Sequence, residues 1–285
     1  MQLRARRGVI RLLDCSGTRT LLAMITSAYA RWITNADVSV YYDNVWVHRL
    51  GGTHIPDSRT FPYSKSTIKN WHRQLSSELE QARDCWMFLY EPKIGDVIID
   101  IGAGSGVDVL EFSRRVGASG KVIAVEAHPG SFELLQKLCE RNALTNVVCR
   151  QYAVMDRQGV ARISDNPGCD ANTMAHGPTD AEEGIQVVSV TVDALVEEFG
   201  LERVDFLKMN IEGAERLAIQ GMSGTVGRTG HVCIACHDFR GAEDDWYRTK
   251  GSVKEFLGRH GMQPICREDH EKPWVRDHVH AAGLL

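Results

Sequence analysis

The sequence predicts an α/β fold in which a mostly parallel, seven-stranded sheet carries helices on both faces, with an N-terminal cap region ahead of it. Three observations lead there. From Asp96 onward, short apolar runs alternate with amphipathic stretches, the rhythm of βα units. VIIDIGAGSGVDVLEF, residues 97–112, passes from an apolar strand through a glycine turn into a helix. With 43% hydrophobic residues in 285, the chain can bury a substantial core, as one large domain or two smaller ones.

Residues 1–92 read as the cap. Arg4, Arg6, Arg7, Arg11 and Arg19 lie ahead of LLAMITSAYARW, which Thr and Ser interrupt, which is too short to span a bilayer and which has no convincing cleavage site. This segment is read either as a basic helix lying on a membrane surface or a partner, or as an ordinary packing helix. VSVYYDNVWVHRLGGTHIPD alternates like a hairpin turning at Gly51 and Gly52. STIKNWHRQLSSELEQARDCWMFLY, residues 66–90, has helical spacing and stops at Pro92.

Residues 93–285 form the predicted ligand-binding domain. Its strands are expected at 97–101, 121–127, 146–154, 204–211 and 231–239, with weaker ones near QPICRE and VRDHVHAA. Helices are expected to begin near Val107, Pro129, Val192, Gly213 and Gly241. GVARISD and IQVVSVTVD read as an added β-pair flanking the polar loop 166–184, which is long enough to act as a lid.

The net charge of −4 gives no global basic field, so a nucleic-acid partner is not expected. Cys15, Cys85, Cys139, Cys149, Cys169, Cys233, Cys236 and Cys266 lack the spacing of a secreted disulfide framework, which predicts reduced thiols and a cytoplasmic location. Cys233 and Cys236 fall in an apolar strand, where residues three apart face opposite sides. They therefore do not form a shared metal or redox pair.

In an open parallel sheet, ligands sit beyond the carboxyl ends of the strands where strand order reverses. Gly102, Gly104 and Gly106 allow a tight turn and close approach to a ligand there. Val107 stands where a dinucleotide fingerprint needs its third glycine, which opposes a nicotinamide or flavin ligand. Glu126, ending the second strand, can accept from both ribose hydroxyls, and Asp100 can meet a cationic group. Two carboxylates without a Walker lysine suit a positively charged adenosine cofactor, which points to S-adenosyl-L-methionine.

The ordered segments DIGAGSG, AVEAHP, RQYAV, TVDAL and above all LKMNIEGAE (207–215) resemble the FkbM-type methyltransferases of the Rossmann-like class I S-adenosylmethionine-dependent fold. The resemblance covers about 85–260, and WVHRLGGTHIPDS is similar to the leader of some bacterial members. It implies O-methylation of a hydroxyl on a sugar, glycolipid or polyketide-like acceptor. It also adds Ala153, within RQYAV, and Asn210 to the cofactor contacts. Asn210 departs from the aspartate that members usually carry.

O-methyl transfer needs alignment, exclusion of water and a base for the hydroxyl proton. His237, at the end of the fifth strand, is the first choice as general base because an imidazole is partly neutral near pH 7. Glu212 is the second. No metal is required on this reading; the alternative is a divalent cation held by Asn210, His237 and Asp238. Asp269, His270, His278 and His280 are metal-type ligands too, but a polar exposed face accounts for them. Acceptor recognition is expected from the loop and from the cap as the opposite wall, with Tyr63, Trp71 and Trp46 able to stack on a sugar ring. Competing readings are a nucleotide-dependent oxidoreductase or epimerase, and a catalytically silent cofactor-binding relative.

Overall fold

A computed structural model describes residues 14–57, 68, 75–77, 79–80, 82–165 and 184–283. In the cap, strands β1 (Val38–Asp43), β2 (Val45–Leu50) and β3 (Thr53–Asp57) form an antiparallel sheet rather than a single hairpin. Asn44 adopts a left-handed conformation in the first turn, and the second falls at the expected Gly51 and Gly52. Helix α1 (Arg19–Thr34) packs on this sheet with an inverted pattern: Ala23, Thr26, Ser27 and Ala30 face inward. Leu21, Met24, Ile25 and Trp32 face outward, each between 58% and 79% exposed. Ser27 explains the inversion locally, since its hydroxyl bonds both the amide and the carbonyl of Val40.

Trp46, expected to face an acceptor, is instead buried and packs edge-on against Tyr42. Tyr63 and Trp71 lie outside the described residues, as do 166–183 of the expected lid. Of the predicted helix 66–90, residues 68, 75–77 and 79–80 are helical, and Ala82–Trp86 forms a π-turn. Ala82, Cys85, Trp86 and Met87, within the expected cap, join the core beneath the main sheet.

The main sheet contains β4 (Val97–Ile101), β5 (Lys121–Val125), β6 (Val147–Arg150), β10 (Val204–Met209), β11 (Thr229–Ala235) and β12 (His278–Ala282). Their order is β12-β11-β10-β4-β5-β6, with only β12 antiparallel. The chain runs outward from β4 through β5 to β6, then returns to β10 on β4's other side. The order therefore reverses between β4 and β10, where a ligand crevice is expected. Ile99, Ile101, Leu207 and Val232 bury one face against α4 (Val192–Glu198) and α6 (Lys250–Arg259). Ile98, Phe206 and Cys233 bury the other face against α2 (Val107–Val116) and α3 (Pro129–Arg141). Cys233 and Cys236 fall in opposite core layers, as strand alternation requires.

Two strand expectations need correction. The seventh strand, at QPICRE, reduces to a single bridge between Ile265 and His280, because Pro264 offers no amide donor to extend it. The expected strand 146–154 divides. Past Arg150 its neighbour β5 has ended, and β7 (Ala153–Val154) pairs with β9 (Ile185–Val190) instead. β9 also pairs with β8 (Gly159–Ile163), which is the predicted added β-pair. Farther on, the helix expected near Gly213 is the short α5 (Glu215–Ala218) continued by a 3₁₀ turn. The one expected near Gly241 becomes two 3₁₀ turns ahead of α6.

The cap sits on the far end of α3. Asp43 takes Lys137 and Arg141, and the Asn142 side chain bonds both backbone groups of His54. No helix among the described residues is long and apolar enough to cross a membrane.

Candidate active site

A cavity of about 370 Å³ opens at the carboxyl ends of β4, β5 and β10, a volume in the range of small-molecule sites. Gly102, Gly104, Glu126, Ala153 and Asn210 line it, as does Glu212, whereas Gly106, expected there too, faces Leu135 and does not. None of residues 14–57 lines the cavity; of the expected cap, residues 1–92, Trp86 is the described residue that does.

The three glycines have different physical reasons. A Cβ on Gly102 (φ +75°) would lie 1.9 Å from the Asn210 carbonyl oxygen, because Asn210 closes on the end of β4. A Cβ on Gly106 (φ +92°) would meet Leu135 at 2.7 Å. Only Gly104 (φ +56°) has open space there, and it lines the cavity. Gly102→Ala should therefore unfold at markedly lower temperature, losing a few kcal/mol from clash and a positive φ. Gly104→Ala should fold with a loss of only about 1–2 kcal/mol but bind S-adenosylhomocysteine at least tenfold more weakly. Thermal unfolding with titration calorimetry checks both; equal behaviour of the two variants would refute the distinction.

Glu126 ties the turn to β5. Its Oε2 accepts from the Gly104 amide at 2.9 Å and its Oε1 from the His128 amide at 2.8 Å. Burial raises its pKa, against the pull of those two donors. Both oxygens keep further acceptor capacity for a ligand.

Asp100 does not line the cavity. It is completely buried, 2.8 Å from the ammonium of Lys208, so its cation is supplied by the protein rather than by the cofactor. Lys208 also donates to the Gly102 carbonyl at 2.9 Å, stands 3.6 Å from Asp108 and lies 5.0 Å above the Trp86 ring. Burial pushes the Asp108 carboxyl up to about 6, with Lys208 opposing. Lys208, Asp108 and Trp86 line the cavity and were not identified from the sequence. A lysine within the apolar strand VDFLKM was the available signal, since a buried ammonium needs carboxylates.

Across the cavity, Glu212 has φ +53°, a left-handed conformation that non-glycine residues seldom adopt. It is held there by Glu215, whose Oε1 accepts from the amides of Ile211 and Gly213, and by Trp246, whose indole donates to the Glu212 carbonyl. Gly213 fits edge-on beneath Trp246, where a Cβ would approach within 2.4 Å.

His237 does not line the cavity; it stands behind Glu212, buried between two carboxylates. Its Nε2 is 3.2 Å from Glu212 Oε1 and its Nδ1 3.0 Å from Glu215 Oε1. Burial alone would lower its pKa, but these two partners outweigh it and push the value up to about 10. The imidazole is thus an imidazolium near pH 7, which removes the reason for choosing it as a free base. For Glu212, burial acts upward, but His237 and Arg240, the latter at 3.0 Å, hold its pKa below the usual value.

Asp238 is turned away from this cluster. Its Oδ2 accepts from the Thr249 and Lys250 amides at the start of α6, so Asn210, His237 and Asp238 do not converge on a cation. Glu215 and Arg240 were the missing members, and their partners become visible only once the turn 210–215 is folded.

The family described as the methyltransferase FkbM domain matches residues 100–263, more than half of the chain and every site residue described above except Trp86. The chain belongs to the FkbM methyltransferase family. It is similar to the 31-O-demethyl-FK506 methyltransferase FkbM of Streptomyces tacrolimicus, 25% identical over 209 residues, covering 63% of this chain and 77% of that protein. It is also similar to the hexuronic acid methyltransferase AglP of Haloferax volcanii, 25% identical over 165 residues, covering 58% of this chain and 64% of that protein. A 77-residue stretch is 39% identical to TRM61 of Cryptococcus neoformans, a tRNA (adenine(58)-N(1))-methyltransferase catalytic subunit, covering 25% of this chain and 18% of that protein. The chain therefore spans less than two thirds of AglP and under a fifth of TRM61.

As an FkbM-family methyltransferase the chain uses S-adenosylmethionine. The cavity fits such a ligand on its own chemistry. Asp108, Glu126 and Glu212 place three carboxyl groups on its wall against the single ammonium of Lys208, and the open face of Gly104 gives a ligand room beside the backbone.

Proposed function

We propose that this chain is an O-methyltransferase acting on a hydroxyl of a small-molecule acceptor of sugar, glycolipid or polyketide type. The observation that carries the reading is Glu212: an ionised carboxylate on the cavity wall, in a strained backbone conformation, backed by His237 and Arg240. Strain of this kind persists where the surroundings enforce it, and it concentrates at reacting centres. The names of the relatives FkbM and AglP, which refer to FK506 and hexuronic acid, support the acceptor class. Membership of a methyltransferase family argues against a hydride-transferring enzyme on the same sheet.

Glu126 would hold the ribose of the cofactor, with the glycine turn, Ala153 and Asn210 forming its close walls. When bound, S-adenosylmethionine supplies an activated methyl group on a sulfonium. Glu212 accepts the hydrogen bond of the acceptor hydroxyl, orients one oxygen lone pair away from itself and takes the proton on a carboxylate oxygen. A base of carboxylate strength is sufficient, because the proton is lost as the attacking oxygen becomes positively charged and so strongly acidic. His237 and Arg240 fix the carboxylate in place, and Glu215 fixes His237. Transfer of an isotope-labelled methyl group to a hydroxyl oxygen is the direct test.

We also infer that the outward face of α1 meets an anionic membrane surface. Leu21, Met24, Ile25 and Trp32 form an exposed apolar stripe, and the chain ahead of it contributes Arg4, Arg6, Arg7 and Arg11. Apolar residues with an interfacial tryptophan and adjacent arginines have the chemistry of an interfacial helix, which would suit a lipid-linked acceptor. Vesicle flotation should find the chain on phosphatidylserine vesicles, with loss of at least tenfold in binding for Leu21→Asp/Ile25→Asp. A stable dimer that ignores vesicles, and that this double variant dissociates, would contradict the inference.

A further inference from the structure

We propose that Cys233, His278 and His280 bind one zinc-class divalent cation at a structural site separate from the methyl-transfer cavity. The antiparallel register of β11 and β12 sets Cys233 opposite His280 and Ala235 opposite His278, so the three donors project from one face of the sheet. Their ligand atoms all lie within 4.8 Å of one another, and the side chains are between 0% and 3% exposed. His278 and His280 therefore do not lie on a polar exposed face. The Cys233 Sγ and His280 Nε2 are 3.9 Å apart, close to the ligand–ligand spacing that metal bonds of about 2.0–2.3 Å produce.

A second observation points to a ligand. The Nδ1 atoms of His278 and His280 are buried without a hydrogen-bond partner, and Cys233 beside them belongs to an apolar layer that includes Phe112, Phe206 and Val275. A buried polar atom left unpaired costs roughly 1–3 kcal/mol, so two such atoms on neighbouring imidazoles call for an explanation. Coordination gives each imidazole a use for one ring nitrogen. The Cys85 carbonyl, 3.8 Å from Cys233 Sγ, is in reach as a fourth, oxygen ligand.

The donor set selects the ion. One sulfur and two imidazole nitrogens suit zinc and disfavour magnesium or calcium, which take oxygen shells. Binding releases the Cys233 thiol proton to solvent, leaving a thiolate on the metal. Because the site is closed to water, its role is structural. It would pin the π-turn Ala82–Trp86 to the sheet, and Trp86, stacked on the His278 ring at 4.7 Å, lines the methyl-transfer cavity.

Metal content of the untagged full chain, measured by plasma mass spectrometry after equilibration with zinc and desalting, tests the site together with the absorption spectrum of the cobalt-substituted protein. We expect one zinc per chain and a sulfur-to-cobalt charge-transfer band. Cys233→Ser should abolish the band, and His280→Ala should weaken zinc binding at least tenfold, whereas Cys149→Ser should alter neither. Should the variants fail to fold, the wild-type protein still decides: no retained zinc and no charge-transfer band would overturn the proposal. So would an unchanged band in folded Cys233→Ser.

Discussion

Lys208→Met is expected to destabilise the fold by roughly 3–5 kcal/mol, the cost of removing one partner from a buried ion pair. Lys208 is 1% exposed and Asp100 is fully buried, so water cannot replace the lost ammonium. Burial by itself would discharge the lysine, yet Asp100 and Asp108 outweigh it and hold its pKa above the ordinary value. On the lysine side the interaction is therefore present below the ordinary lysine value of about 10.5 and is lost as the pH rises beyond it, whereas the Asp108 share also needs a pH above about 6, where that carboxyl is ionised. The variant also removes the donor to the Gly102 carbonyl, loosening the glycine turn. Urea unfolding at pH 7 measures the effect. Adding Asp100→Asn should recover part of the loss, because the orphaned charge goes with it; a double variant as unstable as the sum of the two single ones would argue against this pairing.

Glu212→Gln is expected to lower kcat by 10²–10⁴-fold, the usual contribution of a positioned general base, while S-adenosylhomocysteine affinity changes less than threefold. The amide keeps the shape and a hydrogen bond for Arg240 but cannot accept the proton. Glu212→Asp should retain more activity than Glu212→Gln, since it keeps the charge at the cost of reach. A Gln variant with wild-type turnover would remove Glu212 from the chemistry. Turnover lost only in step with cofactor affinity would instead make it a binding residue.

The contrast between what the sequence disclosed and what it did not has a physical basis. The glycine turn and Glu126 were legible because local turn chemistry and βα alternation determine them. Individual side-chain partners were not. Strand alternation gives the face on which Asp100 lies, but only the pairing of β4 with β10, more than a hundred residues later, brings Lys208 beside it.

His237 shows the same limit. Its position at a strand end suggested a base, whereas its charge is decided by Glu212 together with Glu215, which reaches back from the turn after Gly213. Cys233 and His280 likewise meet only through the β11–β12 register, which no local pattern encodes. The inverted burial of α1 could not be read from hydrophobic periodicity, because that pattern locates an apolar stripe without saying which way it faces.

The most direct measurement is the fate of a labelled methyl group. Purified chain is incubated with ¹³C-methyl S-adenosylmethionine and a panel of hexuronosides and hydroxylated polyketides, and the products are read by NMR. The account predicts a new ¹³C methyl signal bonded to a hydroxyl oxygen, absent with Glu212→Gln. A label found on nitrogen or carbon instead would contradict it.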